Sequence, residues 1–444
     1  MAPLDSSIVH TTLPLIAREF RVDVLVIEWV VLAYLLTLSS LLLVGGRLGD
    51  RMGERPLFVS GFTLFTVGSL LCGLAQGVGT LILARVLQAA GGSLLIAIGP
   101  AMLTRAFPAS QRGRVLGIQA SVVYLGLSIG PGLGGLIASG LGWRWVFLVN
   151  LPIGLAAIGT AVVVLRDAPR RPRRDPFDVG GALLFAGGLV AFVVAVSRGA
   201  EIGWDSPAPR IAALSAVAAA VAFVARELRY PHPFLDLRLF RHRLFAAATL
   251  SALCNYMASA TTAFLTPFYL IRGNHLTPDR AGALLMTMPL TMALVAPLSG
   301  WLSDRIGSRL PTVVGMSCVA TGMWMLGGLG PAPGNTEVAL HLGLVGLGVG
   351  LFTSPNNSAI MGAVPQAIQG LASGLVATAR TLGMILGVAI SGALFGSEIH
   401  RLLPGTGQDA LAVVHAYGHA IRIVAAVAAT GAVASLVRGR SITG

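Results

Sequence analysis

Long apolar runs without charged residues recur from one end of the chain to the other, and they constrain its fold more than any other feature. The hydrocarbon core of a bilayer, about 30 Å thick, is crossed by about 20 apolar residues in a helix. Backbone groups in hydrocarbon must pair internally, and these runs lack the alternation of a barrel strand. The sequence therefore predicts an all-α polytopic membrane protein. The clearest runs are 56–84, 115–143, 145–165, 244–271, 281–303 and 310–336.

Composition excludes several other classes of protein. The formal charge is +13, but all 31 basic residues are arginines spread over short loops, so we expect no nucleic-acid partner. Without lysine the chain cannot contain a P-loop for ATP. Cys72, Cys254 and Cys318 stand singly in apolar runs, without metal or redox spacing. We expect no cofactor, no metal site and no catalytic domain.

Breaks at glycine, proline and polar residues divide the runs into fourteen predicted spans. Six form a first half, residues 1–166, with spans near 3–17, 24–45, 57–76, 80–104, 114–139 and 145–165. Two inserted spans lie in residues 167–243, near 179–197 and 209–226. Six more form a second half, residues 244–444, with spans near 244–270, 280–302, 310–330, 338–361, 367–396 and 415–437.

Two patterns recur between the halves. Gly46, Leu48, Asp50, Arg51 and Gly53 reappear 254 residues later as Gly300, Leu302, Asp304, Arg305 and Gly307. Gly113, Gly117, Gly126 and Gly130 reappear 257 residues later as Gly370, Gly374, Gly383 and Gly387. Such a repeat predicts two homologous halves in parallel orientation, with a binding site between them near the midplane.

Arginine is distributed unequally between the two sets of loops. Twenty arginines lie on one side and eight on the other, and short cytoplasmic loops are the ones enriched in positive charge. The bias predicts a multi-pass protein of the cytoplasmic membrane with both termini in the cytoplasm. Because so few residues precede Asp5 and Pro14, we expect that the chain lacks the first turns of its first helix.

The loop between the second and third spans resembles the signature loop of the major facilitator superfamily. The resemblance rests on glycines and alternating charges and implies a cytoplasmic latch between the two halves. An alternative is that the charges only anchor the loop at the membrane surface. The residues concerned are Gly46, Arg47, Asp50, Arg51, Gly53 and Arg55, with Asp304 and Arg305 in the second copy.

Other motifs resemble the fourteen-helix drug:proton antiporters of that superfamily. Residues 4–14 resemble their first-span motif, with His10 where asparagine is usual. Arg85 opens a fourth-span motif that the resemblance ties to proton coupling, although a structural arginine that reaches the membrane surface is the alternative. The fifth span resembles the exporter motif, which implies efflux rather than uptake. It comprises Gly126, Gly130, Pro131, Gly134 and Gly135.

Asp5 is the acidic residue that this map places inside a span, whereas Glu28, Glu201 and Glu398 are predicted at helix ends. An ionisable group inside a membrane indicates function by default. We expect Asp5 to take a proton from an outward-open cavity and release it inward, with Arg85 biasing the exchange. The alternative is that Asp5 only ends a helix at the cytoplasmic surface.

The sequence as a whole predicts an exporter of lipophilic drugs, antibiotics or a secondary metabolite in exchange for protons. Its partners would be a small lipophilic substrate, protons and the lipid bilayer, and no protein partner is evident. A uniporter or importer of a small metabolite is the alternative. Polar and soft side chains that could line the cavity, or else only pack between helices, are His10, Gln119, Tyr124, Asn255, Tyr256, Met288, Asn356 and Asn357.

Overall fold

The computed structural model describes residues 1–165, 178–230, 237–363, 369–406 and 409–437, and within these ranges it contains fourteen helical segments, one at each predicted span. The first six are α1 (Ala2–Phe20), α2 (Val24–Ile27 and Trp29–Met52), α3 (Glu54–Gly73), α4 (Val78–Ala106), α5 (Ala109–Gly140) and α6 (Arg144–Leu148 and Asn150–Val164). The prediction of an all-α membrane protein is confirmed.

The remaining segments follow in the predicted order. The inserted pair is α7 (Val179–Ile202) and α8 (Pro207–Arg229), and a short 3₁₀ helix, Leu237–Arg241, comes after it. The last six are α9 (Arg243–Phe268, continued by the π-helix Tyr269–Gly273), α10 (Pro278–Leu285 and Thr287–Ile306), α11 (Arg309–Leu326), α12 (Asn335–Gly362), α13 (Gln369–Thr406) and α14 (Asp409–Leu436).

Twelve of the described helical segments are long and apolar enough to cross a membrane. The other two, α1 and α11, are the shortest segments, with 19 and 18 residues. The predicted boundary at 166/167 falls outside the described residues, whereas α9 begins at Arg243, one residue before the predicted second half.

Helix packing in the last six segments repeats that of the first six. In the first set α3 packs on α4 and α6, α2 packs on α4, and α1 packs on α5. The second set has the same pairs, because α11 packs on α12 and α14, α10 packs on α12, and α9 packs on α13. This matches the repeat that the glycine patterns predict.

The repeated glycines make equivalent contacts in the two sets. On α5, a Cβ at Gly130 would collide with the side chain of Ser7 on α1. On α13, a Cβ at Gly383 would lie 2.6 Å from the carbonyl oxygen of Leu253 on α9, and one at Gly387 would lie 2.5 Å from that of Met257. Glycine therefore lets a neighbouring helix come close at both places, through the Ser7 side chain on α1 and through the backbone of α9.

Besides a direct contact of α1 with α9, two seams join the two sets of helices: α10 packs on α5, and α13 packs on α2. The inserted helix α7 lies across the second seam, since it contacts both α2 and α13. Asp178 caps α7 by accepting the amide N–H of Gly181 at 2.8 Å, and its carboxylate pairs with Arg226 of α8 at 2.7 Å. Burial would raise the pKa of Asp178, but these bonds outweigh it and hold the pKa below its usual value.

At one end of the bundle, which we call the joined end, polar contacts connect helix termini. Three of them define it: Arg144 to Glu19 at 2.5 Å, His400 to Asp23 at 3.6 Å, and Ser139 to Asp279 at 3.3 Å. The second and third contacts link the first six helices to the last six. The two sets therefore touch at the joined end.

The crossing of α3 and α4 depends on glycine, and this gives a testable expectation for stability. A Cβ at Gly91 would collide with the backbone nitrogen of Phe65 and lie 2.6 Å from the carbonyl oxygen of Gly61. We expect Gly91→Ala to lower the free energy of unfolding by about 1–3 kcal/mol, because overpacking forces the helices apart. Thermal unfolding in detergent would measure this loss as a lower melting temperature.

Gly79→Ala on the same helix is the matched control, since nothing lies within 4 Å of its added Cβ. We expect this variant to melt close to the wild type. Equal melting temperatures for the two variants would contradict the assigned crossing.

Candidate functional site

A buried polar network lies at the centre of the first six helices. Its side chains come from α1, α3, α4 and α6, and α2 contributes a backbone carbonyl and an aromatic ring. Each residue of the network is at most 1% exposed, in a bundle that is otherwise mostly apolar. The side chains are Asp5, Ser69, Arg85, Gln88 and Asn150.

The carboxylate of Asp5 is the centre of this network. Its Oδ2 accepts a hydrogen bond from Arg85 Nη1 at 2.7 Å. Its Oδ1 accepts from Gln88 Nε2 at 2.9 Å and from Asn150 Nδ2 at 2.8 Å. Three donors on two oxygens compensate for the loss of water, so the arrangement suits an ionised carboxylate.

Arg85 is held from several sides. Its Nε donates to the carbonyl oxygen of Val30 at 3.2 Å, and its Nη1 also donates to Gln88 Oε1 at 2.5 Å. The guanidinium lies over the ring of Tyr34, 4.1 Å from its centroid. An arginine inside hydrocarbon is costly unless it is paired, and here an anion, two neutral acceptors and an aromatic face compensate the charge.

Local sequence explains how α4 brings two of these groups together. Arg85 and Gln88 are three residues apart, so they share one face of the helix. A Cβ at Gly68 would lie 2.6 Å from the Cα of Gln88, so glycine lets α3 approach this face. The close approach puts Ser69 Oγ 2.8 Å from Gln88 Nε2. The glycines of α3 therefore position the network as well as the crossing.

Protonation of Asp5 would change every contact in the network. A neutral carboxyl is a weaker acceptor, and Arg85 would lose the anion that compensates its charge. Because these partners sit on different helices, a proton on Asp5 would weaken the hydrogen bonds that connect α1 to α4 and α6. The site can therefore convert a protonation step into a change of helix packing.

The structure brings the two predicted proton-coupling residues, Asp5 and Arg85, into direct contact, while their role stays a prediction. Among the predicted cavity residues, His10 Nδ1 and both polar side-chain atoms of Asn255 are buried and have no hydrogen-bond partner in the described part of the chain. Buried polar atoms without partners are typical of sites that water or a ligand completes.

The other predicted cavity residues whose side chains are described are distributed over four helices besides α1. Gln119 lies on α5, Tyr256 on α9, Met288 on α10, and Asn356 with Asn357 on α12. The side chain of Tyr124 lies outside the described side chains. Their gathering in one cavity stays a prediction.

The predicted latch is described only in part. The structure does not describe the side chains of Arg47, Asp50 and Arg51 or the surroundings of Gly46. Gly53 and Gly307 both adopt left-handed conformations, with φ of 93° and 81°, at the ends of α2 and α10.

The charged residues of the latch that are described make contacts within their own six-helix sets. Arg55 Nη2 donates to the Val162 carbonyl at 2.9 Å, and Arg305 lies over the Trp301 ring while Asp304 is exposed. A latch between the two sets stays a prediction.

The exporter motif on α5 contacts two neighbouring helices, α1 and α10. A Cβ added at Gly134 would lie 2.8 Å from the carbonyl oxygen of Ile8 on α1, and one added at Gly135 would collide with the carbonyl oxygen of Pro278 on α10. A Cβ added at Gly282 of α10 would collide with the carbonyl oxygen of Pro131. The motif therefore forms part of the seam between the two sets.

Sequence reasoning missed several residues of functional interest. The amides of Gln88 and Asn150 both donate hydrogen bonds to Asp5. Their occurrence inside apolar runs was the sequence feature that could have indicated a buried polar network. Glu28 was predicted at a helix end, and the sequence did not show that its side chain would be buried inside a span. Glu28 is wholly buried within the apolar span that begins at Val24, because other helices pack over this end.

Comparisons with known proteins agree with this architecture. The family model of the Major Facilitator Superfamily matches residues 1–388. The chain is 33% identical to the riboflavin transporter RibZ of Clostridioides difficile, over 90% of this chain and 86% of that protein. It is 34% identical to the multidrug resistance protein Stp of Mycobacterium tuberculosis, over 90% of this chain and 74% of that protein.

A solved structure with the same fold is a bacterial homologue of the human lysosomal transporter Spinster in an inward-facing, unoccupied conformation. The TM-score is 0.71, the sequence identity is 16%, and the match covers 99% of this chain and 96% of the other. Fourteen helical segments in the described residues, the repeated packing and the family match lead to one conclusion. The chain belongs to the Major Facilitator Superfamily of membrane transporters and resembles its drug-efflux branch.

Proposed function

We propose that this transporter exports small lipophilic molecules across the cytoplasmic membrane in exchange for protons. The observation that carries the proposal is the buried contact between Asp5 and Arg85, 2.7 Å long and at most 1% exposed on either residue. A carboxylate in such a place either stays paired or binds a proton. The proton and a cationic or polar part of a substrate would then compete for the state in which the pair is broken.

The energetic requirement of export is met by one carboxylate. A proton that enters down a membrane potential gains about 2.3 kcal/mol per 100 mV, which supports roughly a fiftyfold gradient of a neutral substrate. A pH difference adds to this gradient. Exchange of one proton for one substrate therefore needs no second coupling residue.

Transport also requires that the two sets of helices separate and rejoin at each end. The close contacts of α5 with α10 at the joined end support such a motion, because they consist of small residues that can part without leaving large cavities. Arginine bias supports assigning the joined end to the outside of the cell, since the arginine-poor loops are there. We infer that the described state is closed to the outside.

A second candidate function is transport of a polar, planar metabolite, and the relative named as a riboflavin transporter favours it. The partnerless amide of Asn255 and Nδ1 of His10 could bind such a ligand. Uptake of a flavin into proteoliposomes, measured with and without a pH gradient, would distinguish the two functions. Gradient-independent flavin uptake without movement of lipophilic dyes would favour this second candidate.

Asp5→Asn tests the proposed coupling. We expect it to abolish efflux of a lipophilic fluorescent cation driven by an imposed pH gradient in proteoliposomes, because the amide cannot carry the proton. Asp205→Asn is the matched control, since Asp205 is fully exposed and pairs only with Arg210. Unchanged pH dependence in Asp5→Asn would contradict the proposal.

Loss of Asp5 also leaves Arg85 without its anion, which would destabilise the protein by about 3–5 kcal/mol. The double variant Asp5→Asn with Arg85→Gln removes both charges and should recover most of that stability. We expect it to melt close to the wild type while gradient-driven efflux remains absent. Recovery of coupled efflux would show that the pair is structural only.

Gly135→Ala tests the contact between α5 and α10. Its added Cβ would collide with the Pro278 carbonyl, whereas the matched variant Gly140→Ala has nothing within 4 Å. A steric cost of about 1–3 kcal/mol shifts a two-state equilibrium roughly 5- to 150-fold, so we expect the transport rate to fall at least about fivefold. Equal rates in the two variants would exclude α5 and α10 from the transport motion.

A further inference from the structure

A second buried carboxyl, Glu28, lies outside the Asp5 network. It interrupts α2 five residues from its start, inside the apolar span Val24–Leu42, and it is 0% exposed. Its Oε1 accepts a hydrogen bond from Ser197 of α7 at 2.6 Å. Its Oε2 has no hydrogen-bond partner within the described residues.

The space that Glu28 occupies is formed by the absence of a side chain. A Cβ at Gly392 of α13 would collide with Oε2 of Glu28 and would lie 3.5 Å from the ring of Phe264 on α9. The carboxyl is thus enclosed by α7 on one side and by α13 on the other. It lies in the seam between the two sets of helices, a few residues from the joined end.

No cation compensates Glu28 within the described part of the chain. The charged groups on the surrounding elements have partners of their own or lie at exposed positions, as Arg18 of α1 and Arg380 of α13 do. The Nδ1 of His10, on α1, has no partner either. The pairs are Asp5 with Arg85, Glu19 with Arg144, Asp23 with His400, Arg198 with Glu201, and Glu398 with Arg401.

We propose that Glu28 is a second proton-binding site, which holds a proton while the joined end is closed and releases it when that end opens. A wholly buried carboxylate with one neutral donor is strongly disfavoured, whereas the neutral acid is tolerated. Separation of α13 from α2 would admit water to the carboxyl and allow it to ionise. The proton would pass to and from water on the side to which the joined end opens.

This inference goes beyond coupling at Asp5, because it concerns closure of the joined end and the inserted helix pair. Ser197 belongs to α7, so the pair takes part in the proton site through a direct hydrogen bond. If one proton accompanies closure, the ratio of closed to open states changes by up to about tenfold per pH unit. Low pH favours closure and high pH favours opening.

Infrared spectroscopy of the reconstituted protein tests the bound proton without any need for transport. We expect the carbonyl band of protonated carboxyls at neutral pH to lose the intensity of one group in Glu28→Gln. The matched variant Glu201→Gln should keep that intensity, because Glu201 is exposed on α7 and pairs with Arg198. An unchanged band in Glu28→Gln would overturn the proposal.

Disulfide trapping tests the link to closure. Cysteines replacing Ser139 and Asp279, which are in contact across the seam, would report the closed joined end in a background with Cys318→Ser. Thiolate formation by itself speeds trapping as pH rises, so each background is compared with Glu28→Gln at the same pH. Relative to Glu28→Gln, we expect trapping to fall as pH rises in the wild-type background and in Glu201→Gln. The same pH slope in Glu28→Gln would overturn the assignment.

Gly392→Ala provides a second variant in which the carboxyl is retained but displaced. We expect it to weaken the pH slope of trapping, and an unaltered slope would contradict the enclosed position. Failure of Asp5→Asn to affect efflux would refute the proposed coupling but would leave the infrared and trapping results on Glu28 unchanged. The two proposals are therefore separable.

Discussion

A buried ion pair in an apolar bundle requires other polar groups, and those around Asp5 and Arg85 come from four helices, α2, α3, α4 and α6. Neither charge could remain in this environment alone, because each would lose its hydration without compensation. The amides of Gln88 and Asn150 and the carbonyl of Val30 complete the compensation. The relative positions of α1, α2, α4 and α6 are therefore tied to the charge state of one carboxyl.

Much of the fold was predictable because a membrane span is a local property. About 20 apolar residues cross the hydrocarbon whatever they pack against, so each predicted span matched a helical segment. The repeat of Gly126 and Gly130 as Gly383 and Gly387 was predictive for a similar reason. Close backbone contacts tolerate only the smallest residues, and the same crossing recurs in both sets of helices.

The site was less predictable because the faces of these helices are apolar all round. Hydrophobic periodicity then does not show which side meets which neighbour, so the pairing of Asp5 with Gln88 and Asn150 could not be derived. Glu28 was misjudged for a related reason. Its position near the start of α2 predicted a helix end but not the burial, which comes from the contacts of Ser197 and Gly392, both remote in sequence.

The inserted helix α7 rests on both α2 and α13 and so covers one of the two seams. A molecule dissolved in the bilayer would meet α7 and α8 there rather than the line where the two sets of helices divide. Among the described residues, the seam of α5 and α10 has no such cover from the inserted pair. Within the described residues, the inserted pair therefore makes the two flanks of the bundle unlike, because α7 covers one seam and not the other.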